Sequence, residues 1–459
     1  MTIKERGAAA VAIVEAEAAR RCLDELMGSM AGCFRRWEPR ATAKKYVRAL
    51  MSDLPRKNCW TIAEHAGDAT PGKMQHLLER AKWDTMAAIA IVRGFVCERL
   101  DDGDAVAILD ESGQCKKGTA TVGVKRQYVG CAGRVENAIN VVYCSFATVA
   151  GHALVGARPY LPAEWADDAE RRRAAGVPDE LEFSTKPELG RQILTDLHAE
   201  GRLPGWVTGD EVYGRDPRLR AWLESPEVST AYVLGISTST RIALTRGKPA
   251  VRADDVLKML LACDWVIDSC GAGSKGDRRY AWAWIGTASP RHHLLIRRSL
   301  TPNAKGVREV AFYLCFAPEG RPATLRTLIK IAGRRWPVEE DFQVGKDAFG
   351  LDHSQVRTYP ALLRHLVLSM TALAVCAITA AKAHTTSGHN KATPPSSPDD
   401  VPPADPGLIH LTVAEVKRLA NLATRAWHSL EHHLHWHTWR RRHQARARWF
   451  HQRTRLTRQ

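Results

Sequence analysis

Apolar positions recur at helical spacing in AAAVAIVEAEAARRCLDELMGSM and again in WDTMAAIAIVRGFVCERL, so residues 1–100 read as helical. Between them, RKNCWTIAEHAGDATPGKMQHLLERAKW predicts two short helices around a Gly-Asp-Ala-Thr-Pro turn. Thr70 suits an N-cap, with Pro71 at the first helical position. Such a pair is either a helix-turn-helix DNA reader or an ordinary αα-hairpin. From residue 101 the pattern turns to short β-type runs: AVAIL, TVGVKRQYVG, INVVYCSFAT and LVGARPYLP. Strands in such close succession predict antiparallel neighbours. Helical patterns follow at AEWADDAERRRAAG and KPELGRQILTDLHAEG, then a strand at WVTG, a helix at DPRLRAWLES and a strand at YVLGIS. Strands, helix, strand, helix, strand is an α/β order.

Residues 241–320 break that rhythm. YAWAWIGT, HHLLIRRS and REVAFYLCF are β-leaning and read as an insertion. Helix returns over 321–383, where LVLSMTALAVCAITAAKA is rich in small residues and predicts a buried core helix; no membrane span is expected. Six prolines with little apolar content mark 384–407 as a linker, and 408–459 is helical with a basic end. The expected division is therefore a helical DNA-binding domain over 1–100, a core over 101–240, the insertion over 241–320, the helical remainder of the core over 321–383, the linker, and the basic C-terminal region.

Composition narrows the function. The chain has 459 residues, 45% of them hydrophobic, ample for a large core. Lys and Arg number 66 against 50 acids, a net charge of +16. That surplus suggests a polyanionic partner, nucleic acid above all, against the plainer reading of a basic soluble protein. The 11 cysteines form no CxxC pair, which points to reduced thiols in a cytoplasm and away from a zinc ribbon or disulfide framework. The start reads as an amphipathic helix, not a signal peptide. His428, His432, His433, His435 and His437 cluster without Cys or carboxylate partners, so a solvated or phosphate-facing helix is expected there before a metal site. From Arg440 the chain carries eight Arg and no acid, with Trp449 and Phe450 among them. Arg440, Arg441 and Arg442 begin this stretch, which suits phosphate contact and base stacking or else is a solvated tail.

Three acids stand out by position. Asp110 is expected at the end of the first strand, in AVAILDESG, and Asp210 at the end of a later one, in WVTGDEVYG. Glu339 lies early in a helix, in RRWPVEEDFQVGK. Acids past strand ends are held rigidly at a sheet edge, and a helix crossing that edge brings a third to the same point. Two divalent ions would neutralise such a cluster, one activating a water or 3′-hydroxyl and the other the leaving oxygen at phosphorus. The alternative is that each acid is only a turn residue. Arg335 and Glu339 share a helix face, with Lys346 about two turns further on; the plain reading is a surface Arg–Glu pair.

At this point the chain resembles a known family. LDESGQCKKG, VGVKRQYVG, YLPAEW, TGDEVYG and RRWPVEEDFQVGKDAFGLDHSQVRTY are similar to DDE insertion-sequence transposases, in particular the group of DDE superfamily endonucleases. Arg335, Glu339 and Lys346 fit the last three positions of the related signature Tyr-x2-Arg-x3-Glu-x6-Lys; Ala332 stands at the Tyr position. The resemblance implies a ribonuclease H-like α/β core with a β-rich insertion, flanked by helical N- and C-terminal regions. It implies that Asp110, Asp210 and Glu339 are the catalytic, metal-holding triad, the Arg and Lys spacing selecting Glu339 over Glu340. The ions would be two Mg²⁺, with Mn²⁺ as substitute. Lys116, Lys117, Lys125 and Arg126 are candidates for lining a DNA channel. Trp282 and Trp284 are candidates for stacking on a flipped base, or simply core residues. The expected function is metal-dependent cleavage at the terminal inverted repeats of an element and strand transfer into target double-stranded DNA. A homodimer on DNA and a place at the nucleoid of a bacterial cytoplasm go with it. A domesticated DDE nuclease and a catalytically silent DNA-binding protein are the rivals; a paired-carboxylate glycosidase would leave the basic charge without a role.

Overall fold

The computed structural model describes residues 3–273, 276–386, 400–401, 409–424 and 427–457. Five helices open the chain: α1 (Ile3–Ser29), α2 (Trp37–Leu50), α3 (Cys59–His65), α4 (Gly72–Glu79) and α5 (Thr85–Leu100). Side chains set the starts of α3 and α5. The Asn58 carboxamide accepts from the Trp60 and Thr61 amides while the Thr61 hydroxyl accepts from the Asn58 amide, a reciprocal capping box. Asp84 caps α5 by accepting from the Ala87 amide. α4 begins one residue later than Thr70–Pro71 suggests: Pro71 is itself the cap, and its carbonyl accepts from the Gln75 amide.

Strands β1 (Val106–Cys115), β2 (Lys125–Val129), β3 (Arg134–Ala147) and β4 (His152–Pro159) then pair antiparallel, all through β3. Helices α6 (Ala163–Ala166), α7 (Ala169–Ala174) and α8 (Lys186–Ala199) lead to β5 (Trp206–Gly209), which lies parallel to β1. After α9 (Glu211–Gly214) and α10 (Pro217–Glu224), β6 (Ala231–Ile236) lies parallel to β5. The order β4-β3-β1-β5-β6, antiparallel on one side of β1 and parallel on the other, is that of a ribonuclease H-like core. The start of β1 reads as an unbroken apolar run because Val106 to Leu109 are buried on both faces of the sheet.

Apart from one short two-stranded pair, the β-rich stretch does not make a sheet of its own. The short pair β7 (Arg241–Ile242) and β8 (Val251–Arg252) and helix α11 (Ala253–Met259) come first. Then β9 (Val266–Gly273), β10 (Gly276–Gly286), β11 (His292–Ser299) and β12 (Val310–Phe316) continue the core sheet, β12 pairing antiparallel with β6, to ten strands in all. β9 is an edge strand with Val266 and Ile267 exposed, so its pattern carries no burial signal. Ile236, Ile242, Val256, Leu294, Ile296 and Phe312 give this end a small core of its own.

Helices α12 (Leu325–Gly333), α13 (Trp336–Phe349), α14 (Tyr359–Thr386), α15 (Val413–Thr424) and α16 (Leu430–Leu456) complete the chain. By length and composition α14 is apolar enough to cross a membrane, but 94% of its most apolar 18-residue window is buried inside the protein. It packs on α1, α5 and β4 as the expected core helix. One continuous core joins α1–α5, the sheet and α14, so the N-terminal helices share their interior with the strands. Of the expected linker, residues 384–386 finish α14, and most of the rest lies outside the described residues.

Candidate active site

β1 and β5 run parallel in register, with Leu109 opposite Gly209. Asp110 and Asp210 therefore follow at the same level on neighbouring strands, a spacing of about 5 Å. Asp110 does not end its strand, as its sequence context suggests. β3 is long enough to keep pairing β1 as far as Cys115 after β5 has stopped at Gly209, so Asp110 sits mid-strand, opposite Tyr143, where the sheet loses its parallel neighbour. Asp210 leaves β5 and caps α9, its Oδ1 accepting from the Val212 amide at 2.9 Å. Two glycines let this turn press against β6. A Cβ on Gly214 would lie 1.8 Å from the Gly235 carbonyl oxygen, and one on Gly235 would lie 3.0 Å from the Asp210 carbonyl carbon.

Strand alternation turns Asp110 toward α13 and its neighbours Leu109 and Glu111 toward α8. On the α13 side, Arg335 Nη1 donates to Asp110 Oδ2 at 3.2 Å and Nη2 donates to Glu339 Oε1 at 2.5 Å, so one guanidinium ties the first acid to the third. On the α8 side, Lys186 Nζ donates to Glu111 at 2.6 Å and the Tyr213 hydroxyl donates to it at 3.2 Å. Burial pushes the Asp110 carboxyl up to about 7; Arg335 opposes this and the neighbouring Asp210 adds to it. Asp210 is raised as well, by burial and then by Glu111. Two adjacent carboxyls that resist ionisation mark a place short of positive charge. Their oxygens are the hard donors that Mg²⁺ or Mn²⁺ takes, so the residues fit such ions. Among the described residues no three His, Cys, Asp or Glu side chains are gathered closely enough to hold a metal directly; Glu339 reaches Asp110 through Arg335.

The residues after Glu339 face elsewhere. Asp341 is buried, accepts from the Ser145 hydroxyl, and is bonded to His152 Nδ1 at 2.9 Å. His152 Nε2 lies 3.2 Å from Glu340, whose other oxygen accepts from Trp336 Nε1 at 3.1 Å. Burial works against a charge on His152, but Asp341 and Glu340 outweigh it and push the imidazolium up to about 10. This clamp between β3, β4 and α13 fixes the rotation of the helix. Glu340, about 100° round from Glu339, is spoken for, and Glu339 is left facing Asp110. Sequence spacing gave no sign of His152, 189 residues from Asp341. Glu111 and Asp341 only adjoin the marked acids, and Lys186 and Tyr213 carry no pattern.

The other expected positions are scattered. Lys346 is half-buried on the Glu339 face of α13. Lys116 turns inward: its Nζ donates to the Ser354 carbonyl, and burial lowers it to about 8. Lys117 and Arg126 are exposed, and Lys125 pairs with Glu164. Trp282 is fully buried against Tyr280 and Tyr313, its Nε1 donating to the Asp268 carbonyl at 3.3 Å, so stacking on a base is closed to it. Trp284, two residues on, is 41% exposed and meets His293 edge-on. Arg440 pairs with Glu64, while Arg441 and Arg442 are exposed. Of the C-terminal histidines, His433, His435 and His437 are exposed, and His428 and His432 are half-buried. His428, His432 and His435 donate their Nε2–H to the carbonyls of His65, Glu64 and Ala69.

The ribonuclease H-like sheet thus carries two half-buried aspartates side by side, with a glutamate brought in on a crossing helix. Two family models match the chain. One, described as DDE superfamily endonuclease, covers residues 29–253, and the other, Transposase DDE domain, covers residues 185–375. Together the two models span residues 29–375, so most of the chain is similar to DDE endonucleases and transposases. It is 31% identical over 173 residues to a probable transposase for insertion sequence element IS701 from Microchaete diplosiphon; the match spans 38% of this chain and 43% of that relative. Among solved structures it is similar to piggyBac transposase in a synaptic complex with hairpin DNA, with TM-score 0.42 and 10% identity over 80% of this chain and 76% of the other. Kluyveromyces polysporus Argonaute with a guide RNA is more distant, with TM-score 0.20 and 12% identity over 61% of this chain and 28% of the other.

Proposed function

We propose that this chain is a DNA transposase that cuts at the terminal inverted repeats of its element and joins the freed 3′ ends to target DNA. The observation that carries this reading is the pair Asp110–Asp210, half-buried at one level on adjacent parallel strands, with Asp110 linked to Glu339 through Arg335. Asp110, Asp210 and Glu339 would hold two Mg²⁺, for which Mn²⁺ substitutes. Bound there, the ions supply charge neutralisation at phosphorus for an in-line displacement. The chain's own residues do the rest. Arg335 holds a fixed positive charge beside the acids for a phosphate oxygen, and Lys346 extends that charge along α13. The sheet and the His152 clamp fix the carboxylates so that no reorganisation is needed when charge builds up. Two element ends must be brought together, which calls for a homodimer on DNA, in a bacterial cytoplasm at the nucleoid.

The test is strand cleavage and joining on DNA carrying the element's own ends, with Mg²⁺ or Mn²⁺. Metal-dependent products lost in Asp110→Ala, Asp210→Ala and Glu339→Ala establish the reading. Cleavage without joining indicates a domesticated nuclease, and binding without cleavage indicates a silent DNA-binding protein.

A further inference from the structure

The C-terminal helix α16 is docked at one end and bare at the other. Its first half lies on the α3–α4 hairpin. His432 and His435 donate to the Glu64 and Ala69 carbonyls, Trp436 Nε1 donates to the Asp68 carbonyl at 2.9 Å, and Trp439 and His443 pack on Trp60. Each of those carbonyls can only accept, so each imidazole must carry its proton on Nε2 and is used up as a structural donor. From Gln444 to Leu456, about 20 Å of helix, the described side-chain contacts are internal to α16: Trp449 meets Phe450, and Arg453 lies over both rings.

The arginines on this bare arm are not spread evenly. At 100° per residue, with Arg441 at zero, Arg448 and Arg455 fall within about 40° of it. Arg442, Arg446 and Arg453 form a second row, at about 100–140°. Between the rows run Ala445, Trp449, Gln452 and Leu456, at about 20–80°. The opposite side holds His443, Ala447, Phe450 and Thr454, with no charge, and it continues the face that Trp436 and Trp439 dock. The first arginine row lies on the far side from that docked face and the second along its border, and all six arginines are exposed.

We infer that this arm lies in the major groove of duplex DNA, with one arginine row on each phosphate wall and the strip between them on the base edges. The inference rests on the proposed DNA-acting role but assigns the groove-reading to α16 and not to α4. A helix about 10–12 Å across fits a groove about 12 Å wide, and the two rows face the two strands that border it. A helix lying on a single strand or on a flat acidic surface would need one row, not two. Gln452 is the side chain of the central strip with paired donor and acceptor for a base edge. Docking by the imidazole and indole donors gives the arm a fixed direction without a partner.

The test measures affinity of the full-length protein for a fluorescent mixed-sequence 30-base-pair duplex as a function of salt. Each phosphate contact contributes about 0.9 to the slope of log K against log salt. Arg441, Arg448 and Arg455 all changed to Gln should lower the slope by about 2.7, the Arg442, Arg446 and Arg453 triple by about the same, and the six together by about 5. Lys at the same six positions should restore the slope. Unfolding is controlled by circular dichroism, which exposed substitutions leave unchanged. Loss confined to one triple, or equal binding to single-stranded DNA of the same sequence, overturns the groove geometry. Unchanged slopes in a protein that still binds the duplex overturn the role of α16 and leave the transposase reading standing; no duplex binding by the unaltered protein overturns both.

Discussion

His152→Ala would leave Asp341, 1% exposed, without its cationic partner. The Ser145 hydroxyl remains bonded to that carboxylate, but a single neutral donor does not replace a charge. Breaking a buried ion pair by deleting one member costs roughly 3–5 kcal/mol. His152 keeps 22% of its side chain exposed and Glu340 is half exposed, which places the loss at the lower end, about 3 kcal/mol. Denaturant unfolding at pH 7 measures it. Adding Asp341→Asn to His152→Ala removes the stranded charge, so the double variant should be more stable than the sum of the two single losses by more than about 0.5 kcal/mol. The pH dependence has a definite sign. The folded imidazolium is held up to about 10, above its ordinary value, so its stabilisation is complete below the unfolded pKa and is lost as pH rises through about 10. Between pH 7 and 10 the native protein should lose stability that the His152→Ala variant has already lost. With α13 unclamped, half-maximal cleavage should also need more Mg²⁺ while DNA affinity stays the same. Additive losses, or parallel pH curves for the two proteins, would refute the clamp.

Glu339→Gln should abolish cleavage, whereas Glu340→Gln, which removes only a contact to His152 and Trp336, should keep most of it; comparable loss in both would mean the helix is rotated from the position described. In metal-free protein, ionising Asp110 is unfavourable, because its folded pKa is raised: stability is intact near pH 4 and falls as pH rises through about 7. Asp110→Asn should therefore stabilise the metal-free protein at pH 8, by on the order of 2 kcal/mol in urea, and a loss of stability would contradict the electrostatic reading. Trp282→Ala should cost about 3–5 kcal/mol as a buried truncation and Trp284→Ala less than about 1, both read by thermal unfolding.

Much of the architecture was legible in the chain. AVAIL, WVTG and YVLGIS are mostly apolar because β1, β5 and β6 are covered on both faces, and the triad candidates fall where those strands and α13 put them. Asp110 looked like a strand end because Gly113 and the polar residues after it resemble a turn. Only the length of β3, a partner some thirty residues away, shows that pairing continues. The clamp was invisible for the same reason: His152 and Asp341 meet through the packing of α13 on the β3–β4 hairpin, and neither has a local pattern. The inward turn of Lys116 shows that a cation near an acid in sequence can be used by the backbone of another segment. The docking of His428, His432 and His435 was not legible because their partners are carbonyl oxygens, which no sequence pattern marks.

The most direct test of a metal-holding triad exchanges each acid for a thiol. Asp110→Cys, Asp210→Cys and Glu339→Cys replace hard oxygen donors by a soft one, which takes Mg²⁺ poorly but accepts Mn²⁺ or Cd²⁺ better. If the three residues hold the ions, each variant loses DNA cleavage in Mg²⁺ and regains part of it in Mn²⁺ or Cd²⁺. Cleavage that persists in Mg²⁺ in all three variants would contradict the assignment, because the acids would then be structural and the chemistry would lie elsewhere in the molecule.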